Sequence, residues 1–422
     1  MTGTGLSIGV ASGARGTIAM TGGTFNANNL AQLNLGNTGS GNGRGTITLS
    51  GTAQFNASAA TVVVGQFGGA SDAGANNSLG TLNVSGTATL NAANVVVGGN
   101  NAGSHVNGII NLDGGTIATG SIRRGNTFLA SNATQIVLNA NGGTIKATTH
   151  ANNSNFLQGL FVNLGTGGLK FDTNGNNTGI SNVMSGTGGL MKQGSGRLTL
   201  SGVNSYAGTT TVEQGELQLA SGSEIAGAVN IAAGATLSGT GTIKGNTTIG
   251  GMHSAGTSPG LQSFTAGLQY LATGSLNWEL AANTEGDRGL TTGFDAIDVS
   301  GTVSVDSPAT LNIVLNAAGS TTDFTDVFWA SDRSWLMIDG ADGSAGTFTL
   351  GSGPVLDANG VDSSNYGTFS TFSAGDGDHF VRWTAVPEPS AALLGSIGLI
   401  ALLRRRSATR FRSWPFQSGS PS

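Results

Sequence analysis

GTITLSGTAQFNASAATVVVG, residues Gly45 to Gly65, holds one complete unit of a repeat from which the fold can be read. In its first block Ile47 and Leu49 alternate with Thr46, Thr48 and Ser50, a period of two that sends one set of side chains inward and the other outward. The same block recurs as GTIAMTG at Gly16, GTLNVSG at Gly80 and GIINLDG at Gly108, at slightly uneven intervals. A second block follows the first three: TFNA at Thr24, QFNA at Gln54 and TLNA at Thr89. A third closes the unit, as LNLG ending at Gly36 and VVVG ending at Gly65 and Gly98.

Three short strands per unit of about 30 residues, with glycine at the corners, describe a coil of parallel strands whose successive turns stack on a continuous core. In that coil Asn26, Asn56 and Asn91 fall in register and form a side-chain ladder. Extra residues collect at one phase, in the segments that begin at Gly36, Gly65 and Gly98, so the inserted loops share one side of the coil.

Composition agrees. Glycine supplies 72 of 422 residues, about 17% against a usual share of roughly 7%, and charged residues are 9% where about 25% is ordinary. Glycine at that level disfavours helices and suits strands joined by tight turns. Hydrophobic residues at 38%, regularly placed, exclude a disordered chain.

The formal charge of −5 hides a segregation. Residues 1 to 212 carry 8 basic and 3 acidic groups, Glu213 to Glu388 carry 4 and 19, and five arginines follow. The basic groups of the first segment are scattered, so no nucleic-acid footprint is indicated. No cysteine occurs, which removes disulfides, thiolate metal sites and cysteine nucleophiles together.

All 7 prolines lie at or beyond Pro259, and longer alternating runs such as SLNWEL at Ser275 begin there. The expected division is therefore a β-helical region over 1–185, a distinct repeat over 186–258, a β-rich terminal domain or cap over 259–385, a sorting segment over 386–406 and a basic tail over 407–422.

The distinct repeat is GGLMKQGSGRLTLSGVNSYAGTTTVEQGELQLA, Gly188 to Ala220. It resembles the autotransporter-associated β-strand repeat, which runs as Gly-Leu-x-Lys-x-Gly-x-Gly, Leu-Thr-Leu-Ser-Gly and Tyr-x-Gly-Thr-Thr-x-Val-x-x-Gly-x-Leu. That resemblance, continued through Ser258 to Gly260, implies a right-handed parallel β-helix and a bacterial surface protein. Near the C-terminus, VPEPSAALLGSIGLIALLRRR at Val386 to Arg406 resembles the PEP-CTERM sorting signal. The resemblance makes Pro387, Glu388 and Pro389 the element read by a membrane-embedded exosortase, and Arg404, Arg405 and Arg406 the cytoplasmic stop. Arginines C-terminal to the apolar run place the bulk of the chain outside the cell. The run itself, Ala391 to Leu403, is uncharged, falls short of the roughly 20 residues of a full span, and is expected to form a short transmembrane helix.

The start, MTGTGLSIGV, has no basic leader and no apolar run of signal length, while SIG ending at Gly9 reads as the close of a preceding unit. A start inside a longer reading frame is expected.

Parallel β-helices also host polysaccharide lyases and hydrolases, so catalysis is the rival reading. The acids for it are sparse in the repeats: Asp72, Asp113 and Asp172 are too widely spaced to share a face. His105, His150, His253 and His379 show no ligand spacing, and no cofactor or metal site is expected. Asp376 and Asp378, with Asp323 and Asp326, fit calcium or ordinary Gly-Asp turns. Trp278, Trp329, Trp335 and Trp383 fit sugar stacking or core packing, the latter favoured. The expected function is an exported, non-enzymatic surface or matrix protein, with the sorting enzyme, the membrane and an extracellular polysaccharide as partners. A fragment of a larger adhesin is a further alternative.

Overall fold

The computed structural model describes residues 5–10, 13–36, 43–65, 78–98, 106–125, 136–148 and 153–386. The repeat blocks fold as three columns of strands, here faces 1, 2 and 3, through which the chain passes in turn. Face 1 is built from the first block: Arg15–Met20, Arg44–Leu49 and their successors to Ile136–Ala140, Phe161–Leu164 and Met184–Gly186. Thr24–Asn26, Thr144–Ala147, Leu169–Asp172 and Leu190–Gln193 belong to face 2, and Gly5–Ile8, Gln32–Leu35, Thr178–Ile180 and Arg197–Leu200 to face 3.

Strand pairing along these columns is parallel until the C-terminal end, apart from an isolated antiparallel bridge between Gly239 and Gly256. Arg15–Met20 lies residue for residue on Arg44–Leu49, and Gln54 to Ala57 pairs with Thr89 to Ala92 before the same strand shifts register at the corner. The alternation in GTITLSG explains the core. Ile47 sits opposite Leu82, Leu82 opposite Ile110 and Ile110 opposite Leu138, all fully buried. Each such aliphatic side chain contributes roughly 1.5–3 kcal/mol of burial free energy, and neighbouring coils must be present for it to be gained.

Coil length is not constant. Leu35 pairs with Val64 and Val64 with Val97, each a step of roughly 30 residues. In the distinct repeat Leu198 pairs with Leu217 and Leu217 with Leu237, a return of only about 20 residues, at the lower limit for solenoid repeats. Glycine makes these short corners possible. Gly215 has φ of +68°, and a Cβ placed there would lie 2.6 Å from the carbonyl oxygens of both Gly194 and Gly196.

Pro259 marks a change in composition without a break in pairing. Met252–Ala255 pairs in parallel with Ser275–Glu279, that strand with Thr310–Val314, and the last with Thr349–Leu350. Apart from isolated bridges, antiparallel strand pairing among the described residues joins Arg333–Asp339, Gly367–Ser373 and His379–Ala385. Behind this hairpin Trp329, Trp335 and Trp383 are buried together with Phe324 and Phe369, with ring centroids 5.1 Å apart for Trp329 and Trp383 and 4.9 Å for Phe369 and Trp383. The fold is thus all-β, a long parallel stack of solenoid type. Among the described residues no helix is long and apolar enough to cross a membrane. The transmembrane helix expected at Ala391 to Leu403 lies outside the described residues.

Candidate functional site

The residues expected to direct sorting, Pro387, Glu388, Pro389, Arg404, Arg405 and Arg406, also lie outside the described residues, as does most of each inserted loop. Within the described residues, polar side chains concentrate in two settings.

One is the outside of the long coils. Asn56 Nδ2 donates to Asn26 Oδ1 at 2.8 Å and Asn91 Nδ2 to Asn56 Oδ1 at 2.7 Å, which is the expected ladder on face 2. Face 1 carries a second ladder that sequence reasoning missed. Asn83 donates to Thr48 Oγ1 at 3.1 Å, Asn111 to Asn83 at 2.9 Å, Asn139 to Asn111 at 2.9 Å and Asn163 to Asn139 at 3.5 Å. The signal was present: GTLNVSG and GIINLDG carry these asparagines at the same place, two positions after Thr81 and Ile109.

The other is the interior of the short coils. Strict alternation in Leu190–Gln193 turns Lys192 inward, between Phe171 of the preceding coil and Val212 of the next. Its side chain is fully buried. The three N–H groups of the ammonium are shared among four acceptors, Gly194 O at 2.7 Å, Gln214 O at 2.9 Å, Gln193 O at 3.0 Å and Thr173 Oγ1 at 3.2 Å, so one head group ties together three successive corners. Burial pushes its pKa down to about 8, against the attraction of Asp172 and Glu216, which holds it up. Asn204, also buried, donates to Gly202 O at 2.9 Å and Glu224 O at 3.1 Å and accepts from Met184 N–H at 3.0 Å. Further along, His253 bonds Tyr270 Oη at 2.6 Å and Gln262 Oε1 at 2.7 Å inside the coil, and burial pushes the imidazole down to about 4. These groups close the solenoid from within; none faces a cleft from which a substrate could reach it.

The residues considered for chemistry are dispersed. Asp113 ends a face 1 strand while Asp172 lies on face 2, beside Lys146 at 3.4 Å. Burial pushes Asp295 up to about 8, the shift of a general acid, but its two oxygens are occupied by Gly260 N–H at 2.8 Å and Glu279 N–H at 3.0 Å. It fastens the Ser258 to Gly260 turn to a face 3 strand. Asp323 accepts from Thr325 N–H and Oγ1, Asp326 caps a short 3₁₀ turn, and Asp376 and Asp378 accept from Asp378 N–H and Gly340 N–H. Among the described residues no group of three or more His, Asp or Glu is placed to hold a metal ion. The four tryptophans weighed for sugar stacking are core residues, and their indole N–H groups are all satisfied, by Asp295 O, Asn283 Oδ1, Thr284 O and Trp329 O.

Residues 190–219, the coil that holds Lys192 and Asn204, match the family model of the passenger-associated-transport-repeat. Most of the stretch Gly188 to Ala220, which carries the resemblance in the sequence, is thereby matched. In addition, an alignment 236 positions long that covers 54% of the chain is 28% identical to the adhesin BmaC autotransporter of Brucella suis biovar 1. The chain spans about 6% of the length of that protein.

Proposed function

We propose that this chain is an exported, non-enzymatic surface protein: a right-handed β-helical rod, the hand taken by nearly all crossovers between parallel strands, that displays its outer faces for adhesion. The observation that carries this reading is the passenger-associated-transport-repeat at residues 190–219, built as a short coil inside an uninterrupted parallel stack. The similarity to part of an autotransporter adhesin supports the same placement outside the cell. Low charge and a continuous apolar core suit a stiff, protease-resistant stalk, and an extracellular or envelope polysaccharide is the partner such a stalk would meet.

Sorting is assigned to the C-terminal segment. Pro387, Glu388 and Pro389 would be read by an exosortase-type enzyme, the apolar run to Leu403 would enter the membrane, and Arg404, Arg405 and Arg406 would hold its end in the cytoplasm. The test replaces Pro387, Glu388 and Pro389 by alanine in the native cell and follows the protein by protease shaving of intact cells. The expected result is loss of the shaved fraction and retention of the tail; unchanged surface exposure would refute the sorting role. Incubating the purified chain with plant and bacterial polysaccharides tests the enzymatic rival, since new reducing ends or unsaturated products would overturn the non-enzymatic reading.

A further inference from the structure

Face 1 carries two outward columns that run side by side along the stack. Register sets Ile109 beside Val137 and Val137 beside Phe161. Pairing of Val162 with Met184 extends the first column to Val183, and the bond from Ser205 N–H to Met184 O at 2.9 Å brings Val203 next to it. Three successive members stand open to solvent: Phe161 is 64% exposed, Val183 53% and Val203 50%. Two positions beyond Ile109, Val137 and Phe161 stand Asn111, Asn139 and Asn163 of the amide ladder, and two beyond Val183 and Val203 the hydroxyls of Ser185 and Ser205 continue the polar row. Asn83, Asn111 and Asn139 each commit one N–H and one oxygen lone pair to the ladder and Asn163 one N–H, which leaves donors and acceptors for another molecule. Rungs about 4.8 Å apart make the apolar stripe from Ile109 to Val203 roughly 20 Å long, uncharged over that length and bounded beyond Val203 by Glu224, which is paired with Lys244.

We infer that this stripe and its amide rail are the docking surface for a neutral, linear polysaccharide lying along the rod axis. Charge complementarity selects the partner, because between Ile109 and Val203 neither column supplies a cation for an acidic polymer or a carboxylate for a basic one, and Glu224 beyond them is already paired with Lys244. A pyranose ring presents apolar C–H groups on its face and hydroxyls at its rim. Phe161 and the valines meet the first, and a polar row of ladder amides continued by Ser185 and Ser205 meets the second, as buried hydroxyls must be met. A stripe one residue wide falls well short of the roughly 800 Å² that each partner buries in a standard protein interface, which argues against a second copy as occupant.

The inference rests on the polysaccharide association proposed above and locates it. Affinity electrophoresis of the full chain through gels containing hydroxyethyl cellulose, a linear mannan or polygalacturonate reads it directly. At least one neutral polymer is expected to retard the chain and polygalacturonate is not. The double variant Phe161→Ala/Val203→Ala should weaken retardation at least about tenfold with unchanged circular dichroism, since both side chains point outward. Equal retardation of the variant, preference for polygalacturonate or no retardation by either neutral polymer would overturn it. So would a dimer in sedimentation that Phe161→Asp dissociates, since the stripe would then be a self-contact. Surface exposure measured by shaving is independent of these outcomes, so the docking surface can fail while display on the cell stands, and the reverse.

Discussion

The long coils before residue 148 and the short coils between Thr178 and Ser254 stack on the same kind of aliphatic core, yet they keep their polar side chains on opposite sides of the wall. Long coils return after roughly 30 residues, as in the step from Val97 to Arg124 and that from Ile122 to Leu157. Their corners are as close-packed as those of the short coils, their interiors are apolar apart from small groups such as Thr119 and Ser121, which bond each other at a corner, and their asparagines line up outside. Short coils return after about 20 residues. Such corners crowd backbone carbonyls together on the inner side, where water has no access, and each carbonyl needs a donor from within. Lys192 and Asn204 are those donors. The large buried donors thus sit in the short coils, while the long coils bury chiefly smaller polar groups.

Removing the interior donor is the strongest way to break this comparison. Lys192→Ala leaves Gly194 O and Gln214 O without their donor, while Gln193 O keeps its bond from Thr173 N–H, and it opens a cavity where the lysine stem packed. A loss of about 3–5 kcal/mol is expected, the scale of uncompensated buried polar groups plus lost packing. Urea unfolding followed by circular dichroism measures it, and a loss below about 1 kcal/mol, the net value of one ordinary hydrogen bond, would show that the corner closes without the lysine. Asn204→Ala ranks next. It removes two donated bonds and one accepted bond across three coils, for about 2–3 kcal/mol, and Asn204→Asp should recover little because a carboxylate cannot donate to Gly202 O and Glu224 O.

The buried charge also predicts a pH dependence. The ordinary lysine value is 10.5 and the folded value about 8, so between these the unfolded chain holds a proton that the folded chain has lost. Stability is then expected to rise with pH from about 8 to 10.5 by about 2–3 kcal/mol, and Lys192 contributes no slope below about 8, where both states are protonated. Titrating wild type against Lys192→Met isolates this arm from other groups; parallel pH profiles for the two proteins would show that the ammonium bears no desolvation penalty.

Much of this is legible in the sequence, and for specific reasons. The three blocks specify the three faces because glycine and period-two alternation mark corners and strands locally. Asn26, Asn56 and Asn91 fall in register because the blocks around them align without gaps. By the same alternation Lys192 reads as an inward residue in Leu190–Gln193, but a lysine is so seldom fully buried that pattern alone does not compel the conclusion. Continuation of the stack beyond Pro259 is hidden because coil length changes there: the step from His253 to its partner Leu276 is much shorter than that from Leu276 to Leu311, so no fixed period survives. The antiparallel hairpin of Arg333–Asp339 with His379–Ala385 joins segments far apart in the chain, a pairing that no local pattern announces.

The smallest expected effect sharpens the comparison from the other side. Asn139 sits midway along the outer ladder of face 1, giving a bond to Asn111 Oδ1 and accepting one from Asn163. Its amide is only partly buried, so Asn139→Ala exposes the freed partners to water, which replaces both bonds. The net cost should be about 0.5–1 kcal/mol, the scale of one cross-strand side-chain pair. Lys192→Ala and Asn139→Ala thus each remove a hydrogen-bonding hub that spans three coils and differ chiefly in access of solvent. If their costs come out equal, access of solvent is not what separates the two regions, and the outer ladder holds the stack together as firmly as the buried corner does. A ratio of about four or more keeps the outer asparagines free for another role: two rows of amides that stability does not require remain available to a molecule outside the rod.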